Sequence, residues 1–518
     1  MSKFFNTTGP CDSRRHYMLP PQGRLPGLSD LIRRGDYFVI HAARQSGKTT
    51  LILDLERELN AGGEFCAVYC NVEPANEIAD PKEGLPAIAR SIAKAVRRSH
   101  LVQAGLEAMD ARDYTNVVNE TLVQFAESCS KPVVLLFDEV DCLRNGTLIG
   151  FLRQLRDGYI TRSKTPFPHS IALVGMRNIR DYKARIRENR DALGSASPFN
   201  IVAEALTLRN FSGEEVAQLY QQHTAETRQC FAVGVVDWVM EKTCGQPWLV
   251  NAVARECVEK ILKNDFSKEV TVELVDQAIQ NIILRRDTHI DSLLERLKEE
   301  RVRRVVEPLI TGQQGEIQRS TDDYQYVKDL GLIRDDRRMV EPGCPIYAEV
   351  MVRTLTADLQ GSLESPIYPY ALARYRMAQG LNMGLILEDF QQFWRENSGI
   401  WREKFDYKEA APHLILMAFL QRVVNGGGRI DREMAAESRR LDLCVELDKK
   451  RYPIELKLRS AEKTEEEGIA QLMKYLDILG AGEGWLLIFD RREEVSWDQK
   501  IYRKEVSRGT KTIHVFGC

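Results

Sequence analysis

The segment Ala42-Ala-Arg-Gln-Ser-Gly-Lys-Thr49 stands between an apolar run, Tyr37-Phe-Val-Ile-His-Ala42, and an apolar-periodic stretch from Thr50 to about Asn60. A buried strand, a loop of small residues and a helix in that order constrain the chain more than any compositional figure. Small residues let backbone N–H groups turn inward on a phosphate at the helix N-terminus. A lysine then reaches the outer phosphate oxygens and a hydroxyl holds Mg²⁺. Gly47, Lys48 and Thr49 fill these places, and Ala43, Arg44, Gln45, Ser46 and Thr50 complete the expected nucleotide-binding set. The general pattern G-x-x-x-x-G-K-T has glycine where this chain has Ala42. A second element supports the first. Val133-Val-Leu-Leu-Phe-Asp-Glu139 reads as a buried strand ending in two acids, with Asp138 expected on Mg²⁺ and Glu139 expected to polarise the attacking water. No N-K-x-D guanine reader occurs, so ATP is the expected nucleotide.

Further apolar runs at 65–72 and 171–175, separated by helical stretches such as 84–98 and 115–128, predict a parallel α/β sheet. From residue 212 the pattern turns helical. Ser212-Gly-Glu-Glu215 is a capping box, and further helices are expected near 232–242, 247–263 and 271–284. Residues 288–354 read as short helices with a hairpin at 332–340, the pattern of a winged helix. A linker is expected at 357–369. Two helical segments, an Asn425-Gly-Gly-Gly428 turn and a hairpin–helix–strand unit follow. The expected fold class is therefore multidomain α/β. Its parts are a P-loop core (1–205), a helical lid (206–286), a winged-helix segment (287–356), the linker and a C-terminal α/β domain (370–518). A length of 518 residues agrees with several cores rather than one.

The hairpin at 441–458 carries the second chemical signal. Leu441, Leu443, Val445 and Leu447 alternate with Asp442, Cys444 and Glu446, and Ile454, Leu456 and Leu458 alternate with Glu455 and Lys457. Period-two alternation puts Asp442, Glu455 and Lys457 on one face of a ribbon. Two carboxylates so placed can share a divalent metal, Mg²⁺ or Mn²⁺, and the lysine can orient the attacking water. The layout resembles the PD-(D/E)XK nuclease superfamily. That resemblance implies roles for Glu409, at the start of a preceding helix, and for Gln471 with Tyr475, one turn apart on the following helix. Glu433 is an alternative to Glu409.

Residues 5–60 resemble a bacterial family of AAA-like, STAND-related ATPases. The matching residues are Phe5-Asn6-Thr7, Gly9-Pro10, His16-Tyr17, Tyr37-Phe38, His41-Ala42 and Arg44-Gln45 before Gly-Lys-Thr. In that family the first loop position is often Ala, as at Ala42, and Pro is usual where this chain has Ala43. The resemblance extends through Ser197-Pro-Phe-Asn200 and Gly245-Gln-Pro247. It implies that Gly245 and Pro247 lie against the adenine and that Arg177 senses the γ-phosphate. Arg153, Arg156 and Arg162 are further candidate fingers.

A net charge of −3 gives no global pull toward nucleic acid. The expected cations are local: Arg301, Arg303 and Arg304, Arg337-Arg338, Arg439-Arg440 and Arg491-Arg492. The 11 cysteines form no C-x-x-C and the eight histidines no H-E-x-x-H, so reduced thiols and no zinc site are expected. The longest apolar runs fall short of a membrane span. The N-terminus lacks an apolar signal core, and a cytoplasmic protein without membrane contact is expected. Together these readings predict a homo-oligomer in which ATP binding and hydrolysis control a metal-dependent DNA nuclease. By analogy with STAND-type fusions, this would serve bacterial defence or mobile-element biology, with a protein or phage-derived trigger. The alternative is a signalling switch whose degenerate nuclease fold only binds DNA or a partner.

Overall fold

A computed structural model of the chain describes residues 3–518 except 102–112, 177–200, 286, 311–316, 337–338, 363–373, 378–379, 405–410, 425–428, 433–434, 437–438, 441–442, 448–449, 460–463, 491 and 493. It forms two compact units. One comprises Met1–Ser292 with Arg319–Ile346, the other Leu293–Gln318 with Tyr347–Cys518.

The first unit is built on five parallel strands: β1 (Tyr37–His41), β2 (Cys66–Asn71), β3 (Val133–Asp138), β4 (Ser170–Gly175) and β5 (Val202–Thr207). Their order is β2-β3-β4-β1-β5. β1, β3 and β4 are buried along their whole length, which is why they read as unbroken apolar runs rather than alternating ones. Successive residues of β3 serve opposite faces. Leu135 and Phe137 join a core with α3 (Pro81–Ser99), α4 (Val117–Ser128) and α5 (Asn145–Thr161), through Ile88, Phe125 and Phe151. Val134 and Leu136 join the core of α1 (Leu28–Arg34) and α2 (Lys48–Gly62), with Leu28, Leu51 and Ile52. β5 carries no apolar run, being a largely exposed edge, and the expected core boundary at 205 runs through it. The other edge is closed by side chains of α2. Asn60 both donates to and accepts from the Ala67 backbone, at 2.9 and 3.0 Å, and Glu56 accepts the Tyr69 N–H at 2.8 Å. A strand edge so occupied is withdrawn from pairing with another chain.

After β5 come α6 (Gly213–Thr227), α7 (Val235–Thr243), α8 (Pro247–Arg255) with a π-helical continuation at Glu256–Ile261, and α9 (Val272–Arg285). The capping box forms as the sequence predicts: Glu215 N–H donates to Ser212 Oγ at 3.2 Å and Ser212 N–H to Glu215 Oε2 at 2.8 Å. α10 (Thr288–Leu297) and α11 (Glu300–Ile310) follow, then α12 (Asp322–Asp329) and a hairpin of β6 (Ile333–Asp336) and β7 (Met339–Pro342). α12 and the hairpin belong to the first unit.

α13 (Pro345–Ser362), in the second unit from Tyr347 onward, is helical through residue 362, so the first six residues of the expected linker continue it. Two small ladders, β8–β9 (Arg376–Met377, Gly380–Leu381) and β11–β12 (Ala435–Ala436, Arg439–Arg440), accompany a six-stranded sheet. Its strands are β10 (Arg429–Arg432), β13 (Leu443–Leu447), β14 (Lys450–Leu458), β15 (Glu483–Phe489), β16 (Arg503–Arg508) and β17 (Lys511–Gly517), in the order β10-β13-β14-β15-β17-β16. The expected hairpin is β13–β14, antiparallel with Leu443 opposite Ile454. The segment expected as the last strand is β15, which lies inside the sheet; β16 and β17 come after it. Both were missed because Arg503–Arg508 is a charged, mostly exposed edge strand and β17 is short on apolar residues until Ile513. One face packs on α14 (Met383–Lys404) and α15 (Ala411–Val424), where Phe489 meets Phe390 and Trp394 and Phe390 meets Phe419. The opposite face packs on α16 (Thr464–Leu479), through Cys444, Leu472, Leu486, Ile488 and Val515. Among the described residues no helix is long and apolar enough to cross a membrane.

Candidate functional site

The predicted loop leaves the C-terminal end of β1 and enters α2 at Lys48. Gly47, the N-cap, has φ 93°, and Gln45 φ 57°; the first favours glycine, the second is tolerated as a single left-handed residue. Lys48 is buried and donates to the carbonyls of Ala42 (2.9 Å) and Ala43 (3.0 Å). Burial pulls its affinity for protons down, while Asp141, Glu139 and Asp138 oppose that effect. Thr49 Oγ1 donates to Asp138 Oδ2 at 2.8 Å, and the same oxygen receives Tyr69 O–H at 3.3 Å. The backbone N–H of Glu139 donates to Asp138 Oδ1 at 3.0 Å. Burial raises the pKa of Asp138, and burial followed by the neighbouring Asp138 and Asp141 charges raises that of Glu139. Glu139 also sits at φ 59° and ψ 33°, a backbone state that is uncommon for a side-chain-bearing residue and recurs at active sites. The tertiary fold thus unites lysine, hydroxyl and both acids from segments some 90 residues apart.

The rest of the expected nucleotide set is spread around the loop. Arg44 bonds Ser292 Oγ at 2.7 Å, and Gln45 Oε1 meets His289 Nδ1 at 2.6 Å. Ser46 is buried, and its carbonyl accepts Arg24 at 2.9 Å. Thr50 turns its hydroxyl to accept the Cys11 N–H at 3.0 Å, tying the N-terminal segment to α2. Gly245 has φ 69°, and a Cβ there would stand 2.0 Å from the Phe211 carbonyl oxygen, so only glycine fits. Pro247 opens α8, where its missing N–H costs nothing. Arg177, together with Ser197–Asn200, lies outside the described residues. The candidate finger Arg162 does not reach the loop of its own chain. It bonds the Gly35 carbonyl at 2.9 Å and stacks on Tyr159, at the end of β1 opposite the loop, where it braces the sheet.

Several residues at the loop have no nucleotide role assigned by the sequence patterns. Arg24, 4% exposed, grips the carbonyls of Ser46 and Arg209. Gln246, inside a motif read only for its flanks, caps α8 and reaches the carbonyls of Arg44 and Gln45 at 3.4 and 3.5 Å. His289 stacks on Trp248, and burial lowers its pKa to about 3. His41 Nε2 meets Thr207 Oγ1 at 3.1 Å, while its Nδ1 is 4.0 Å from Asp329 of α12. Gly331 follows α12, and a Cβ there would stand 2.6 Å from that of Ala43. The helix–hairpin segment therefore meets the phosphate loop directly.

In the second unit Glu455 and Lys457 lie on the α16 face of β14, level with Leu486 and Ile488 of β15. Lys457 Nζ donates to Glu455 Oε1 at 2.7 Å and to Gln471 Oε1 at 3.0 Å; Gln471 Nε2 is 3.5 Å from Tyr475 Oη. Gly468 allows this approach, since a Cβ there would fall 2.8 Å from Leu486 and 3.3 Å from Lys457. Glu455 is wholly buried. Asp442, Glu409 and Glu433 lie outside the described residues. The expected phosphate-binding arginines are partly engaged elsewhere: Arg303 pairs with Glu307, Arg304 with Glu300, and Arg492 with Asp490. Arg337, Arg338 and Arg491 are outside the described residues.

A model of the AAA-like domain family matches residues 11–353, well over half of the chain. The chain belongs to the AAA-like domain family. With its parallel sheet and phosphate loop, its first unit is a P-loop ATPase domain. Solved structures similar to this AAA-like chain include a Walker-type ATPase of Pyrococcus abyssi, at 12% identity and TM-score 0.48, covering 67% of this chain and 99% of that one. The Holliday junction branch migration motor RuvB of Thermotoga maritima is similar at 13% identity and TM-score 0.33, covering 61% and 88%. Cdc6p of Pyrobaculum aerophilum is similar at 12% identity and TM-score 0.35, covering 64% and 92%. No curated protein matches the chain.

Proposed function

We propose that this AAA-like protein binds and hydrolyses ATP in its first unit and, under that control, cuts DNA with its second. In the first unit Thr49 and Asp138 would hold Mg²⁺. Their hydroxyl–carboxylate bond of 2.8 Å brings together the two donors that such an ion needs. The ion, when bound, neutralises phosphate charge. Lys48 exchanges the carbonyls of Ala42 and Ala43 for phosphate oxygens, and Glu139, its proton affinity raised by burial and by Asp138, accepts a proton from the attacking water. α12 and Gly331, seated against His41 and Ala43, belong to a winged-helix segment that responds to the state of the loop, and a STAND-type switch of this kind acts in a homo-oligomer.

The observation that carries the nuclease reading is the set Glu455, Lys457, Gln471 and Tyr475, joined under α16 on a mixed sheet. In this reading Glu455 and Asp442 hold Mg²⁺ or Mn²⁺, Lys457 orients water, and Glu409 supplies a further acid. One fact favours a second reading. Glu455 is fully buried and its carboxylate is bonded to Lys457, as in an inert structural pair, so the fold would bind DNA or a partner without cutting. Supercoiled plasmid incubated with the purified chain, with Mg²⁺ or Mn²⁺ and with or without ATP, separates the two. Nicking that needs metal, responds to ATP and falls by about 100-fold or more in Asp442→Ala and Glu455→Gln is expected. Wild type that never nicks, or variants that cut as well as wild type, sink the nuclease part.

A further inference from the structure

Asp141 follows Asp138, the last residue of β3, and Glu139 in a short 3-10 turn, Val140–Cys142, and neither the phosphate-loop pattern nor the reaction outlined above uses it. It is 9% exposed, and its Oδ1 is buried without a hydrogen bond among the described residues. That oxygen lies over Gly175, the last residue of β4. A Cβ at position 175 would come within 2.7 Å of it, so the strand end makes room for the carboxylate by having no side chain. Gly175 in turn pairs with His41 and accepts the Ala42 N–H at 3.3 Å. Lys48 Nζ sits on the carbonyl of the same Ala42 at 2.9 Å. Carboxylate and ammonium thus flank one short stretch of backbone where the loop leaves the sheet.

A buried carboxylate oxygen with no donor is costly unless a positive charge stands near it. A buried ammonium whose hydrogen bonds, among the described residues, go to two neutral carbonyls has the converse need. Among the three carboxylates that act on Lys48, Asp141 acts most strongly. We propose that Asp141 is an internal counter-ion of Lys48, one that the phosphates of an incoming nucleotide replace. It is a positioning residue: it acts through Lys48, and it sets how much of the Lys48 charge a nucleotide must win. The inference rests on the reading of residues 42–49 as a phosphate-binding loop.

Asp141→Asn keeps the shape and removes the charge. ADP and ATP are then expected to bind about tenfold more tightly than to wild type, measured by titration calorimetry, with a smaller gain for AMP because fewer phosphate charges compete. The melting temperature of the nucleotide-free variant falls while that of the ADP-bound variant stays near wild type, so the nucleotide-induced shift widens. A purely structural acid would lower both melting temperatures alike and leave the affinities unchanged, and that result overturns the proposal. So does weaker binding of ADP by the variant. If Asp141→Asn does not fold, the double variant Lys48→Met/Asp141→Asn must fold, since neither charge then lacks its partner; failure of the double variant also overturns it. Wild type that binds no ATP is a different outcome, refuting the phosphate-loop reading itself.

Discussion

At the scale of single residues, the phosphate loop is held by groups that its own pattern does not contain. Arg24 reaches it from 22 residues upstream, and Gln246 and His289 from some 200 and 240 residues downstream. Burial of the Arg24 guanidinium lowers its pKa to about 10, yet it stays charged at neutral pH and bonded to two carbonyls. His289 has a testable consequence. Its folded pKa of about 3 lies below the unfolded value of roughly 6.5. The unfolded chain therefore binds the extra proton first as pH falls, and the folded state loses stability from about pH 6.5 down toward 3. The loss is at most about 1.4 kcal/mol per pH unit. Urea midpoints of wild type should fall more steeply between pH 7 and 5 than those of His289→Asn. Equal slopes would show that His289 is not the neutral buried group described. His16, His41 and His223, lowered by burial too, add the same sign to both proteins and cancel in the comparison.

At the scale of elements, the start of α6 connects a local sequence rule to the site. Glu215 closes the capping box and also holds Arg209 at 2.6 and 2.9 Å. The Arg209 carbonyl holds Arg24, and Arg24 holds the Ser46 carbonyl. Ser212→Ala should cost about 1 kcal/mol, the usual value of a lost cap, read as a lower urea midpoint with an unchanged slope. A cost near zero would mean that solvent replaces the Ser212 bond without loss. The same scale explains which elements were legible. β1, β3 and β4 are central, covered on both faces and apolar throughout, so four of the five strands of the first sheet stood out, β2 among them. β5 and β16 are exposed edges, and polar edge strands lack the period that marks a strand.

For the whole molecule, two units with separate cores predict more than one unfolding transition. In scanning calorimetry, Mg²⁺ with ADP should raise one transition and leave the other in place, because a ligand stabilises only the unit that binds it. The gain is about 2.7 kcal/mol at a hundredfold excess over Kd. A single transition that shifts as one would show that the units unfold as a single cooperative body. The first unit gathers residues 319–346 from beyond a stretch that belongs to the second. A linear reading in consecutive domains has no way to express that, since apolar periodicity reports what a segment buries and not against which unit.

Sequence alone determined the phosphate loop, the acid-ended strand, the capping box, the parallel α/β class and the pairing of the Glu455–Lys457 ribbon. Each is a local pattern whose physics acts within a few residues: phosphate needs small residues at a helix start, and a buried strand needs apolar side chains. Only the tertiary structure decided what lies around those patterns. It brought Arg24, Gln246, Asp141 and His289 to the loop, set Arg162 at the far end of β1, placed Gln471 on Lys457, and extended the second sheet by two strands. Those choices are set by burial, charge and close approach between segments hundreds of residues apart, where chain spacing carries no signal.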